Sequence, residues 1–139
     1  MGDTPNAPLA LLGRVMLSAI FVMGGWAKLM AMGPTIAYIS SHNMPVPELS
    51  YYASVAIELG GGILVLVGFQ ARLIGLLMAL FCVVTAIIFH YVPDDRNMMT
   101  HFMKNICMAG GFLMLAAAGA GAWSVDAMFG GRARMVRPA

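Results

Sequence analysis

The sequence predicts an all-α integral membrane protein, a four-helix bundle with both termini cytoplasmic, and three observations carry that expectation. The 139 residues are 60% hydrophobic and only 10% charged, too apolar for a soluble domain whose surface must be wetted. Four apolar windows, 9–31, 51–68, 73–92 and 103–122, approach or exceed the roughly 20 residues needed to cross the hydrocarbon layer. None of them alternates in the short period of a barrel strand, and lipid does not tolerate unpaired backbone groups, so the windows are helices. The chain reads as one transmembrane domain, 1–139, closed by a basic cytoplasmic tail, 123–139.

Orientation follows from where the cations fall. The tail holds Arg132, Arg134 and Arg137, and the short connection between the second and third windows leads into Arg72, whereas the other connections are acidic or balanced. Positive charge gathers on the cytoplasmic side of a membrane protein, so both ends of the chain are expected there, in a bacterial inner membrane. The net charge of +2 is not concentrated in a stripe, which argues against a nucleic-acid partner. Two cysteines, neither in a CxxC pair, make no disulfide framework. The first apolar window is too long for a signal-peptide core and has no basic lead, so it is read as a retained anchor.

Residues 1–8 carry two prolines, with Pro8 near the helix start. In the first helix Arg14, Phe21 and Lys28 recur every seven residues, and Gly24 and Gly25 adjoin that face, so one stripe points at the bundle. Arg14 lies near the inner interface and Lys28 about 21 Å further along. Either cation could also be a snorkelling interfacial residue. The connection 33–50 holds three prolines, His42 and Glu48. Residues 36–39 are apolar enough for a brief interfacial helix, making the segment either a lid over the outer mouth or a plain connector.

The second helix carries Glu58 beside Gly60, Gly61 and Gly62. An intramembrane carboxylate costs roughly 3 kcal/mol on insertion scales, so it calls for a partner or a function. Glycines there let another helix approach closely. Side chains lean toward the N-terminus of their own helix, so Lys28 on an outward-running helix and Glu58 on an inward-running one converge. That pairing is expected either to serve a site or only to fix the registry of the bundle.

The third helix opens with Arg72, packs through Ala71, Gly75 and Ala79, and carries His90 at its outer end, where an imidazole is either an interfacial cap or a titratable neighbour of Glu58. Cys82 and Cys107 are expected at different depths, as packing residues. Asp94, Asp95 and Arg96 fall in the turn 93–100, which is expected to be solvated. His101, Lys104 and Asn105 follow at helical spacing and form a second polar patch. Lys104 can snorkel, but an amide at Asn105 needs hydrogen-bond partners in lipid. Lys28, Glu58, His90, Lys104 and Asn105 thus come from all four helices at about one depth, which predicts a polar pocket in an apolar wall near the periplasmic side. Gly119 and Gly121 close the last helix, and residues 124–126 start a short amphipathic segment anchored by Trp123 and Phe129.

Arg14 with Gly25-Trp26-Ala27-Lys28-Leu29, then Glu58-Leu59-Gly60-Gly61-Gly62 through Gly68 to Arg72, then Gly119-Ala120-Gly121-Ala122-Trp123-Ser124-Val125-Asp126 resemble the DoxX family of small four-helix bacterial membrane proteins. The resemblance spans nearly the whole chain, with Lys104-Asn105 and Gly110-Gly111 in support. It departs at Ala122, where the family's closing motif often carries a basic residue. It implies a four-helix bundle and a loose link to redox chemistry, including a thiosulfate:quinone oxidoreductase subunit and oxidative-stress membrane complexes. Two other four-helix enzyme classes fit less well: a vitamin-K-reductase-like protein needs a CxxC pair, and a membrane glutathione transferase needs a cytoplasm-facing polar cluster.

Two functions are therefore expected side by side. In the first, the protein is a quinone-linked oxidoreductase or the membrane subunit of a redox complex. Glu58 and His90 then move protons, Lys28, Lys104, Asn105, His101 and Trp26 contact the substrate, and Arg14, Arg72, Gly25, Gly61 and Gly62 hold the frame. With no flavin, haem or iron-sulfur motif in the sequence, electrons would come from a partner protein or a dissolved substrate. In the second, it is a non-catalytic scaffold or partner-binding subunit. Small-residue seams make a homo-oligomer an expectation under either. A third reading takes Met98, Met99, His101 and Met103 as soft copper ligands, against the simpler one that 14 methionines are packing.

Overall fold

The computed structural model describes residues 6–135, with side chains to residue 130. The lead 1–5, Arg137 and the side chains of Arg132 and Arg134 lie outside the described residues, and with them the tail charges on which the expected orientation rests. Six helices follow in order: α1 (Ala7–Met30), α2 (Met32–Ser41), α3 (Pro47–Val67), α4 (Ala71–His90), α5 (Arg96–Ala118) and α6 (Val125–Met135). No strand occurs among the described residues. Four of the helices, α1, α3, α4 and α5, are long and apolar enough to cross a membrane. The start of α1 and the start of α6 share one end of the bundle, here the near end; α2 covers the other, the far end.

Helix boundaries differ from the apolar windows where a cap, a glycine or a proline sets them. α5 starts seven residues before its window because the Asp95 carboxylate accepts from the backbone N–H of Asn97 (2.8 Å) and Met98 (3.1 Å), satisfying orphan donors of the first turn. The expected solvated turn is therefore shorter, and Arg96 opens a helix. α5 ends at Ala118, four residues before its window closes, because Gly119 takes φ 86°, open to glycine at little cost. α3 begins at Pro47, which the first turn of a helix accepts without loss of a hydrogen bond. α2 is longer than the brief helix anticipated at 36–39.

α1 packs along α3, and α4 along α5, the two pairs meeting in a core of Phe21, Val65, Met78, Cys82 and Phe112. Phe21 and Phe112 meet edge to face at 5.3 Å, a favoured aromatic geometry. The glycines permit close approach at the seams. A Cβ on Gly61 would sit 2.5 Å from the Met78 sulfur, and one on Gly62 3.0 Å from Val22 Cγ2. Large apolar side chains such as Leu9, Met16, Ile20, Met23, Leu80, Ile87 and Met114 face outward, which places acyl chains of a lipid bilayer against the bundle.

The near end is tied by Arg14. It is 2% exposed, so it is no snorkelling cation. Its guanidinium donates to the carbonyl oxygen of Leu66 at 2.8 Å and to that of Trp123. Those carbonyls belong to the last turn of α3 and to the link before α6, so one side chain staples three segments. Gly68 takes φ 69°, and a Cβ there would run into the Arg14 guanidinium, Ser124 and Ala120. Asp126 completes the joint: its two carboxylate oxygens accept from the N–H of Gln70 (2.6 Å) and Ala71 (2.9 Å), capping α4.

Candidate functional site

The seven-residue stripe of α1 brings Lys28 to the far half of the bundle, beside α3. Its Nζ donates to both carboxylate oxygens of Glu58, at 2.9 and 2.7 Å. The side chains are 31% and 12% exposed respectively. Room for that carboxylate exists because α1 presents Gly24 and Gly25. A Cβ on Gly24 would lie 3.1 Å from Glu58 Oε2, and one on Gly25 2.8 Å from the Leu59 backbone nitrogen. The glycine pair and the ion pair are thus one arrangement, in which backbone proximity shortens the reach between the two charges.

Both helices that carry the anticipated acid and imidazole widen locally. α3 makes a π-helical turn over Ala56–Gly61, around Glu58, and α4 one over Ala86–His90, ending at the imidazole. Such turns are rare and recur at functional sites, because each rotates the downstream face and leaves carbonyls and side chains in positions that a regular helix forbids. Periodicity reasoning assumes 3.6 residues per turn, so it has no means of finding them.

A cavity of about 420 Å³ opens beside the ion pair. Lys28, Glu58, His90 and Asn105 line it, from all four membrane-crossing helices, as anticipated. Asn105 is satisfied: its Nδ2 donates to the His101 carbonyl at 3.0 Å, and Thr85 Oγ1 sits 3.4 Å from its Oδ1. His90 is not. Its Nδ1 is buried and has no hydrogen-bond partner among the described residues. Exposed Ala53 and Ile57 on α3 and exposed Val84 and Ile88 on α4 also form the wall, so the cavity is a cleft reached sideways from the lipid.

Three expected substrate contacts do not line the cavity. Trp26 is 58% exposed on the outer surface of α1, two residues and thus about 200° around the helix from Lys28. Lys104 is exposed on α5 and does not line the cavity, being one residue, about 100°, from Asn105. His101 packs on His90 with ring centroids 5.4 Å apart, outside the lining. Arg72 is at the near end, donating through Nη1 to the carbonyls of Ala116 (3.1 Å) and Ala117 (2.7 Å) at the end of α5. Cys82 is buried and Cys107 exposed, both unbridged. Among the described residues no group of three or more His, Cys, Asp or Glu is gathered as a cation site would need.

The structure adds residues that spacing could have supplied. Ser50, Ser54 and Glu58 stand four apart on α3 and share the cavity wall. α2 roofs the space with Thr35, Tyr38 and Ile39. Tyr38 stacks on Phe89 at 5.9 Å, and His42 lies 5.0 Å from the same ring. The segment is therefore a roof and not a plain connector. No sequence pattern signals that contact, since it joins residues about fifty apart across two helices.

A roofed cleft holding a few polar groups inside an apolar four-helix bundle defines a polytopic membrane protein. The chain belongs to the DoxX family, whose model matches residues 9–91. It is 36% identical to the inner membrane protein YqjF of Escherichia coli (strain K12) over 118 residues, 84% of this chain and 88% of that one. It is 34% identical to the inner membrane protein YphA of the same organism over 123 residues, 85% and 88% of the two chains. A shorter match, 40% over 70 residues and 50% and 51% of the chains, is to a Bacillus subtilis (strain 168) protein named "Putative oxidoreductase CatD". No solved structure matches. With four membrane-crossing helices and two inner membrane relatives, the protein is a multi-pass protein of the bacterial inner membrane.

Proposed function

We propose that the cleft binds the headgroup of a membrane quinone, and that the protein is a quinone-linked oxidoreductase or the membrane subunit of a redox complex. The meeting of the Lys28–Glu58 pair with His90 and Asn105 in one cleft whose remaining wall is largely apolar is the observation that carries this reading. A few convergent polar groups in an apolar wall suit a ligand with a polar head and an apolar tail. The lateral apolar wall suits a lipid-soluble ligand, and the name of the Bacillus relative contains the word oxidoreductase.

The residues divide the work by chemistry. Lys28 offers an ammonium to the oxygen on which negative charge develops. Glu58 and His90 exchange protons with the headgroup oxygens. Thr85 and Asn105 orient it. A quinone, when bound, accepts two electrons and two protons. The electrons come from the redox centre of a partner protein, and the protons pass through His90 and Glu58 from the far end, which this reading places on the periplasmic side.

The test is photoaffinity labelling with an azido-quinone in membranes, alongside quinone-dependent turnover. Wild type is expected to be labelled on α3 and α4, and a Lys28→Met, Glu58→Gln double variant to lose labelling and turnover while keeping its melting temperature. Equal labelling of the two proteins would refute quinone binding. A second reading, a non-catalytic scaffold, is favoured by one fact: Lys28 already bonds both oxygens of Glu58, as a pair serving only registry would. It predicts that the double variant loses assembly with its partner subunits and that no quinone label is found in either protein.

A further inference from the structure

At the opposite end from the cleft lies a second concavity, about 570 Å³, between the start of α4, the end of α5 and α6. Arg72 forms one wall. Its Nη1 is spent on the carbonyls of Ala116 and Ala117, which fixes the plane of the guanidinium. The side edge, Nε and Nη2, has no hydrogen-bond partner among the described residues and lies against Gly119. A Cβ built there would be 3.6 Å from Nη2 and 3.8 Å from Nε. An anchored guanidinium with this edge free is a two-pronged donor for a tetrahedral oxyanion.

We propose that this groove holds the phosphodiester group of a membrane glycerophospholipid on the Nε and Nη2 edge of Arg72. Depth decides the source of the phosphate. Arg72 is the second residue of the membrane-crossing helix α4, so its head stands at the boundary of the hydrocarbon, where lipid phosphates lie. Leu73 and Ala118 beside it are exposed and apolar, giving the acyl chains a path down the outside of α4 and α5. Trp123, 58% exposed at the same end, fits the aromatic belt found at that level. One carboxylate, Asp126, also lines the groove. Both its oxygens are engaged by the N–H groups of Gln70 and Ala71, and the N-terminus of α4 offsets its charge.

Native mass spectrometry of the full chain in detergent tests the site, with phosphatidylglycerol, the matching diacylglycerol and inorganic phosphate offered in turn. One phosphatidylglycerol is expected to be retained and diacylglycerol lost, with excess inorganic phosphate unable to displace the lipid. Arg72→Lys keeps the charge but not the fork, and retention should fall roughly tenfold, the equivalent of one charge-assisted bond. Ala118→Glu leaves the bonds of Arg72 intact and puts a like charge at the groove mouth, so retention should fall similarly with unchanged helicity. If Arg72→Lys fails to fold, Ala118→Glu decides alone. Equal retention of diacylglycerol, or undiminished retention by Ala118→Glu, would overturn the assignment. So would displacement by inorganic phosphate, which would make the groove a free-anion site.

Discussion

Lys28 and Glu58, thirty residues apart in sequence, form a forked ion pair in which one ammonium reaches both carboxylate oxygens, at 2.9 and 2.7 Å, across the seam between α1 and α3. Within the low dielectric of a bundle, neither charge is tolerated alone. Lys28→Met and Glu58→Gln are therefore each expected to lower stability by roughly 2 kcal/mol or more, below the figure for a fully buried pair because Lys28 is partly exposed. The double variant, which leaves no lone charge, should lose little or nothing and keep its melting temperature. Denaturant titration in mild detergent measures this, and strict additivity would show that the pair is not coupled.

Gly25 and Gly110 make a matched contrast. A Cβ at Gly25 would lie 2.8 Å from the Leu59 nitrogen, whereas one at Gly110 meets nothing within 4 Å. Gly25→Ala should push α1 from α3 and cost about 1–3 kcal/mol. Gly110→Ala should be neutral or stabilise by up to about 1 kcal/mol, since alanine loses less backbone entropy in a helix. Melting temperatures of the two single variants check the pair, and equal destabilisation would contradict the packing described.

At the near end, Arg14→Met should unpair the carbonyls of Leu66 and Trp123 and cost about 2–4 kcal/mol, one to two for each buried acceptor left without a donor. Arg14→Lys should rescue little, because an ammonium lacks the planar fork that spans both. Hydrogen exchange is the sharper readout. Amides of Gln70 and Ala71 should lose protection in Asp126→Asn but far less in a Phe129→Ala control.

The roof over the cleft predicts an accessibility change. In a Cys107→Ser background Cys82 is buried and should be inert, so a Thr85→Cys thiol in the cavity wall can be followed by its rate of labelling with a water-soluble maleimide. Tyr38→Ala removes the ring stacked on Phe89 and should speed labelling several-fold at unchanged melting temperature. An unaltered rate would mean that Tyr38 does not control access from the far end.

The four crossings, the membrane setting and the meeting of Lys28 with Glu58 were legible in the sequence, because each follows from a local rule. Apolar run length gives a span, and the lean of side chains on antiparallel helices gives the convergence. Local rules fail where facing depends on exact rotation. Trp26 and Lys104 share the depth of the site but not its side, and depth is all that residue counting supplies. The π-helical turns at Glu58 and His90, the burial of Arg14 between Leu66 and Trp123, and the roof made by Tyr38, His42 and Phe89 were decided only by tertiary structure. The burial of Arg14 and the roof join groups far apart in the chain, and their energy exists only after the helices have packed. The π-helical turns are local, but a 3.6-residue period does not reveal them. The sequence by itself determined which charges lie inside the membrane. The fold decided which of them face one another.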